Sequence, residues 1–386
     1  MSAFYCQLDY EHVPYLSPVG ASNGNISNNG CGVCSAAMLA ENLLGVTFPP
    51  EAAARFAKMV GARETWGTDL YIFSPAFAAH LGMSVRDTED AEEALRFLQE
   101  KRGMVIANTQ GDRKDDGYIG VFSNGGHYIV IAGAEASTVK VWDPMYKEGS
   151  GRFDIPGRKG KVRLDGTDAY ADMSVLKQDC KDRPFFLFEK LDKPAPAPMI
   201  GVIGGDDAQK AVIAAGGVPV VISPYLPPEK VCDCVSRMNG LVITEDSPIA
   251  EAALSCIREK NRPALITGFG VQAVMKLMGG EAASAKPASG VTAQRGTRLE
   301  VVAGGSYPVG DFTGCACESV PEGVRIAASD ENGAVAAAEC IYGGLTLGVN
   351  WRPEALFETD PNALALFSAI VECARADLPV RVYNYE

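Results

Sequence analysis

Three stretches of the chain carry residue types that could do chemistry together. In Asn28-Asn29-Gly30-Cys31-Gly32-Val33-Cys34 a thiol stands where turn-forming residues give way to an apolar pattern of helical period. In Gly125-Gly126-His127-Tyr128 an imidazole opens an apolar run, and in Trp142-Asp143-Pro144 a carboxylate closes the next one. A thiol becomes a nucleophile when its pKa is lowered, and a helix N-terminus together with an imidazolium lowers it. The unpaired amides and the dipole of a first helical turn favour the charged sulfur. The same amides can donate to a developing oxyanion. The chain holds only three histidines, His12, His80 and His127, so candidates for the base are few.

The elements that must position these groups can be read from periodicity. Val33, Ala37, Ala40 and Leu44 recur at helical spacing and predict a helix directly after Cys31. Glu51 to Val60 and Ala91 to Lys101 read as helices, and Met104–Ala107 as a buried strand. Tyr128–Ala132 and Val139–Trp142 read as two strands of a hairpin around Gly133-Ala134-Glu135-Ala136-Ser137. With the turn centred on Glu135, His127 falls opposite Asp143, and their even separation of 16 places both on one face. Asp143 can then hold the ring in one tautomer, as a third group does in hydrolytic triads. Helices first and strands later is an α+β order. Cys34 is the rival nucleophile; it reads more simply as packing, with a resting disulfide to Cys31 left open.

A length of 386 residues suggests two domains, and the composition breaks at Lys193-Pro194-Ala195-Pro196-Ala197-Pro198. This separates residues 1–192 from 199–386, with 193–198 as linker. In the second part Met199–Ile203, Val218–Ile222, Leu241–Thr244 and Ala264–Thr267 alternate with the helical segments Asp207–Ala215 and Ile249–Lys260. That βαβ rhythm predicts a parallel α/β sheet. Gly280 to Gly290 reads as a loop. The net charge of −13 argues against nucleic acid or an anionic membrane as partner. No apolar run of about 18 residues appears, so no membrane span is expected, and the first residues lack a secretory pattern. A cytoplasmic location follows as the expectation, with the eleven cysteines reduced and mostly buried. Of the pairs Cys31/Cys34, Cys232/Cys234 and Cys315/Cys317 only the first has a metal-type spacing, and it lacks a second pair at the usual distance, so neither metal nor cofactor is expected. A homo-oligomer is left open.

The first part resembles a known family. Gly30-Cys31-Gly32-Val33-Cys34-Ser35-Ala36-Ala37-Met38-Leu39 is similar to the Gly-Cys-Gly-Pro-x-x-x-Ala-Met block of bacteriocin-processing-peptidase-like cysteine peptidases. The stretch from Tyr118 to Gly133 is similar to their glycine-flanked histidine strand, and Val139-Lys140-Val141-Trp142-Asp143-Pro144 to their closing Asp-Pro. Val13-Pro14-Tyr15 and Gly67-Thr68 also fit. The resemblance covers most of residues 10–190 and implies a papain-like fold acting on a peptide or small amide. It implies Cys31 as nucleophile, His127 as base and Asp143 as the orienting group. The family often carries an upstream Gln as oxyanion donor; Pro18 stands near that place, so Asn25, Asn28 or Asn29 would have to donate instead, unless all three are simply turn residues.

The second part resembles class I glutamine amidotransferases, the γ-glutamyl hydrolase branch most closely, over most of residues 199–386. Gly348-Val349-Asn350-Trp351-Arg352-Pro353-Glu354 is similar to that family's Gly-Val-Gln-Trp-His-Pro-Glu. The resemblance implies a flavodoxin-like sheet, and it also implies a lost reaction. Gly268 stands where the nucleophilic Cys belongs and Arg352 where the His belongs, leaving Glu354; neighbouring Thr267 has no base. Such a domain can bind a ligand, with Arg352 holding a carboxylate, or serve as a scaffold.

Overall fold

The computed structural model describes residues 2–17, 24–193, 196–285, 290–307 and 312–376. By its internal contacts the chain divides into two compact units, Met1–Ala57 with Arg63–Pro194, and Lys58–Ala62 with Ala195–Glu386. Pro194 and Ala195, within the predicted linker, and Pro18 lie outside the described residues.

The first unit is built on a seven-stranded antiparallel sheet. Its strands run in the order Met83–Thr88, Phe185–Lys190, Gly103–Thr109, His127–Glu135, Thr138–Trp142, Asp168–Asp172 and Arg163–Asp165. The central strands are apolar at nearly every position because both faces are covered. On one face, Ala91, Ala94, Phe97 and Leu98 of helix Ala91–Gln99 pack with Val105, Ile129, Ile131, Val139 and Val141. Full burial of each such isoleucine or leucine contributes about 1.5–3 kcal/mol. On the other face lies helix Cys31–Leu44, whose Ser35 Oγ donates to the Tyr128 carbonyl at 3.2 Å. That helix ends at Gly45 in the left-handed region (φ 71°), whose amide returns to the Glu41 carbonyl. The helices after Cys31, at Pro50–Met59 and at Ala91–Gln99, lie where periodicity placed them.

The hairpin differs from the prediction in an instructive way. Its turn is Ala136-Ser137, with Glu135 paired to Thr138 and Gly133 to Lys140, so partner numbers sum to 273. An odd sum would put His127 and Asp143 on opposite faces of the ribbon. A bulge at Ala132 resets the register, and Ile131 pairs with Val141, a sum of 272. The inserted residue restores the shared face. Asp143 therefore lies diagonal to His127, two residues from direct opposition, still within reach of a long side chain. Even spacing alone did not guarantee this; the bulge does.

In the second unit, strands Val218–Val221, Met199–Ile203, Gly240–Ile243, Ala264–Ile266 and Thr346–Val349 are parallel and adjacent in that order. Helices Asp206–Ala214, Pro248–Glu259 and Gly270–Leu277 connect them. The sheet is not parallel throughout, as the alternation had suggested: Val335–Cys340, Val324–Ser329, Val291–Ala293 and Ser306–Tyr307 extend it antiparallel. These late strands are short and alanine-rich, so they carry little hydrophobic periodicity. Within the predicted Gly280–Gly290 loop, Ala283–Ala285 pairs with Gly314–Ala316. A second correction concerns the thiols: Cys232 is disulfide-bonded to Cys256, with Cα atoms 5.6 Å apart. The pairing joins two helical segments 24 residues apart, a proximity that no local pattern reveals. Cys31 and Cys34 are both free. Among the described residues no helix is long and apolar enough to cross a membrane.

Gly30 sets where the Cys31 helix starts, and a Cβ there would lie 2.4 Å from both the carbonyl oxygen and Cγ2 of Ile26. Gly30→Ala should cost about 1–3 kcal/mol of stability through this overlap. Thermal melting would read that loss, and a thiol reactivity assay should show Cys31 slowed in the same variant.

Candidate active site

Cys31 is the first residue of its helix and is partly exposed, with the buried Gly30 as N-cap. Gly32 follows because there is no room for more: a Cβ would approach Thr68 Cβ at 3.0 Å and Tyr128 Cδ2 at 3.4 Å. His127 opens its strand and is 3% exposed; Asp143 follows the neighbouring strand and is 1% exposed. His127 Nε2 lies 2.7 Å from Asp143 Oδ1. The bond between His127 and the Cys31 sulfur therefore falls to the other ring nitrogen, Nδ1. The sulfur is also met by the backbone amides of Tyr128 and Gly32. The three groups that spacing singled out thus form one hydrogen-bonded chain.

Their electrostatics are mutually reinforcing. Burial alone would push the Cys31 thiol up, but the His127 bond and charge and the two amides bring it below the usual thiol value. Burial would likewise depress His127, yet the Asp143 carboxylate and the Cys31 sulfur raise it to about 9. Asp143 is held below the usual carboxylate range: burial opposes this, and His127, Arg152 and the Met145 amide overcome it. A thiolate–imidazolium pair is the protonation state these shifts favour. By contrast, burial and the neighbouring Cys31 hold Cys34 well above the ordinary thiol range, so it is no rival nucleophile in this setting. His12 stacks on Tyr10 and His80 packs beside Phe48 and Phe56.

Asn25 caps the short helix Ile26–Asn29, its side chain accepting from the Asn28 amide at 3.0 Å. Asn28 is exposed and Asn29 half-buried. Asn25 thus does capping work, and Asn28 and Asn29 lie within the short helix it caps. The donors that the geometry brings to the Cys31 sulfur are instead main-chain amides, those of Gly32 and Tyr128.

Sequence reasoning missed Arg152. Its Nε donates to Asp143 Oδ2 at 2.7 Å, and its Nη2 donates to the Phe122 carbonyl. It sits in a glycine-rich turn nine residues after Asp143, where no local pattern distinguishes it from a solvated arginine. Also missed was Asp179, fully buried, whose carboxylate accepts from the amides of Val121 and Phe122, both at 2.8 Å, and from Tyr118 Oη at 2.7 Å. The Val-Pro-Tyr and Gly-Thr blocks do meet: Tyr15 Oη is 2.7 Å from Thr68 Oγ1, and buried Arg63 donates to the carbonyls of Tyr15 and Gly67 at 2.8 and 3.1 Å.

In the second unit Gly268 occupies the left-handed region (φ 81°) just before helix Gly270–Leu277. Arg352 Nε donates to the buried Glu354 at 3.2 Å while 67% of the arginine side chain stays exposed. Both Gly268 and Arg352 line a cavity of about 390 Å³ with Thr244, Phe269, Thr313 and Asn350. Among the described residues, no group of three or more His, Cys, Asp or Glu side chains could hold a metal ion.

No family model and no curated protein matches the chain. Solved structures similar to about half of it include a GMP synthase component from Thermoplasma acidophilum, with 17% identity and a TM-score of 0.38, over 46% of this chain and 94% of that one. The glutaminase domain of Trypanosoma brucei CTPS is 13% identical with a TM-score of 0.36, over 48% of this chain and 96% of that one. A glutamine amido transferase from Methylobacillus flagellatus is 16% identical with a TM-score of 0.33, over 50% of this chain and 99% of that one. Likeness at this level speaks to neither substrate nor activity.

A stability consequence follows from the raised histidine. An unfolded histidine titrates near about 6.5, and His127 in the fold near about 9. Its contribution is therefore whole below about pH 6.5 and is lost as pH rises through about 9. The depressed Asp143 acts at the other end: its contribution is present above about pH 3.9 and lost as pH falls through its folded value. Urea unfolding of wild type and His127→Gln should show a stability gap that is widest at about pH 5–6 and narrows as pH rises toward about 9.5.

Proposed function

We propose that the first unit is a papain-like thiol hydrolase that cleaves a peptide or related amide. The observation that carries this reading is the chain Cys31–His127–Asp143, with His127 Nε2 2.7 Å from the buried carboxylate and the opposite ring nitrogen on the sulfur. The Cys31 thiolate attacks the carbonyl carbon, and first-turn amides stabilise the oxyanion. The His127 imidazolium gives its proton to the leaving amine, so the C–N bond breaks and a thioester remains. Neutral His127 then takes a proton from water, which releases the acid and restores the thiolate. Asp143 stays ionised and orients the ring throughout. An amine in place of water would make the same site an acyl transferase.

Mass-spectrometric mapping with iodoacetamide under reducing conditions, from pH 5 to 9, tests the pair. Cys31 should be labelled selectively at pH 6, and His127→Ala should abolish that selectivity. Cys31 labelled no faster than Cys234 or Cys317, with no effect of the mutation, would mean an inert thiol and a binding protein rather than an enzyme.

The second unit we read as a degenerate amidotransferase-like domain that binds and does not react. Gly268 has no nucleophile, and Arg352 is a permanent cation that cannot act as a base. What favours ligand binding over pure scaffolding is the cavity, since about 300–1,000 Å³ is the usual range for small-molecule sites and this one measures about 390 Å³ with a largely exposed guanidinium on its wall. A small carboxylate such as L-glutamate should raise the melting temperature of the full chain, and Arg352→Gln should remove that effect. An equal shift in both proteins would refute the assignment. A cytoplasmic setting remains part of this proposal.

A further inference from the structure

The loop that delivers His127 is held by charged side chains in addition to the burial of Val121 and Phe122. Gly120, Val121, Phe122 and Asn124 each have a polar group captured. The Asp179 carboxylate takes the amides of Val121 and Phe122. Arg158, 4% exposed, donates Nε to the Gly120 carbonyl at 2.8 Å and Nη2 to Asn124 Oδ1. Arg152 takes the Phe122 carbonyl. Phe153, beside Arg152, is wedged between Phe122 and Tyr146, with ring centroids 5.6 and 5.7 Å away, which fixes where the arginine emerges.

Arg152 differs from the other clamps because its second bond goes to Asp143. We infer that Arg152 is a positioning residue of the thiol site, bridging the Asp143 carboxylate and the Phe122 carbonyl so that the orienting group and the histidine loop are fixed to each other. This rests on the thiol-hydrolase reading for its purpose and on the two bonds for its geometry. A planar guanidinium suits the role because its donors point in fixed, different directions. Lysine has the charge without that fork.

Two consequences separate the bridge from mere packing. The cation faces a carboxylate that also faces His127, so removing it strengthens the pull of Asp143 on the ring proton. The remaining charged or titratable groups nearby are Cys31 across the ring, Arg158 beside Arg152, Asp112 and Asp179 around Arg158, and the Cys6 thiol with Asp9 and Lys147 on the other side of Asp143. Of these cations, Arg158 is engaged with Gly120 and Asn124, and Lys147 with Asp9. Arg158 feels the Asp143 charge at longer range, but the cation bonded to Oδ2 is Arg152. Losing the Phe122 tie, in turn, loosens the approach of His127 to Cys31.

The experiment is a ring-¹⁵N NMR titration of the full chain, feasible because it has only three histidines, with the His127 signal assigned by its loss in His127→Asn. Iodoacetamide labelling of Cys31 at pH 7 is read in parallel. In Arg152→Gln the His127 midpoint should rise by about half a unit or more, and the labelling rate should fall by about tenfold. Arg152→Lys should return the midpoint to the wild-type value and leave the rate low. An unchanged midpoint in a folded Arg152→Gln chain overturns the inference, as does full recovery of the rate with lysine. Should the glutamine variant not fold, the lysine variant decides alone, a lowered rate at wild-type midpoint supporting the bridge and a wild-type rate refuting it. Absence of selective Cys31 labelling in the wild type instead strikes the thiol-hydrolase reading, while the midpoint still reports on the bridge.

Discussion

A carboxylate taken out of water is the constraint around which the first unit is arranged. Asp143 is 1% exposed, and leaving an ionised carboxylate unpaired at such a place costs several kcal/mol. It is compensated by three donors from three different places: the His127 ring, the Met145 amide at 2.8 Å, and the Arg152 guanidinium. Each must arrive independently, so strand, turn and following loop are tied to one another through a single side chain. The turn is secured in its own right, with the Tyr146 amide on the Asp143 carbonyl at 2.8 Å and the Gln7 amide on the Pro144 carbonyl at 2.7 Å. With Cys31 as thiolate and His127 as imidazolium, the four groups carry no net charge. That neutrality explains how so many ionised side chains can share a mostly dry site without repelling one another.

A second level of the same logic fixes the sheet. His127 and Asp143 share a face only because Ala132 is an extra residue in its strand. A regular two-residue hairpin with the same strands would bury the same isoleucines and valines, yet point the carboxylate to the wrong side. Hydrophobic burial sets the pairing of Val130, Ile131, Val141 and Trp142; the bulge converts that pairing into a site. Stability and chemistry thus depend on different residues of one hairpin.

This division explains what could be read from the sequence. Cys31, His127 and Asp143 were legible because each sits at a boundary that local chemistry marks: a turn before a helix, glycines before a strand, a proline after one. The helix after Cys31 and the alternating elements after residue 199 were legible from apolar period. The bulge was not, since nothing in Ile131-Ala132-Gly133 says which residue is unpaired. Arg152 and Asp179 were not, because their value lies in partners 30 and 57 residues away. The antiparallel extension of the second sheet escaped because strands such as Val335-Ala336-Ala337-Ala338 bury alanines on both faces and present no alternation. The disulfide from Cys232 to Cys256 escaped because it depends on how two helices pack.

In the second unit Gly268 stands in a tight turn just before helix Gly270–Leu277. At Gly268 a Cβ would meet nothing within 4 Å, so space does not exclude a side chain; the positive φ of 81° does. A residue with a Cβ would bear about 1–2 kcal/mol of left-handed strain there, and such strain persists where a function requires it. Glycine carries none of that strain. The Arg352 guanidinium pairs with Glu354, a carboxylate with one oxygen buried and unpartnered. A cation beside a buried anion needs no proton transfer to be stable, whereas a histidine there would change charge with pH. A fixed cation and an unstrained turn are what the proposed ligand-binding role of this surface needs.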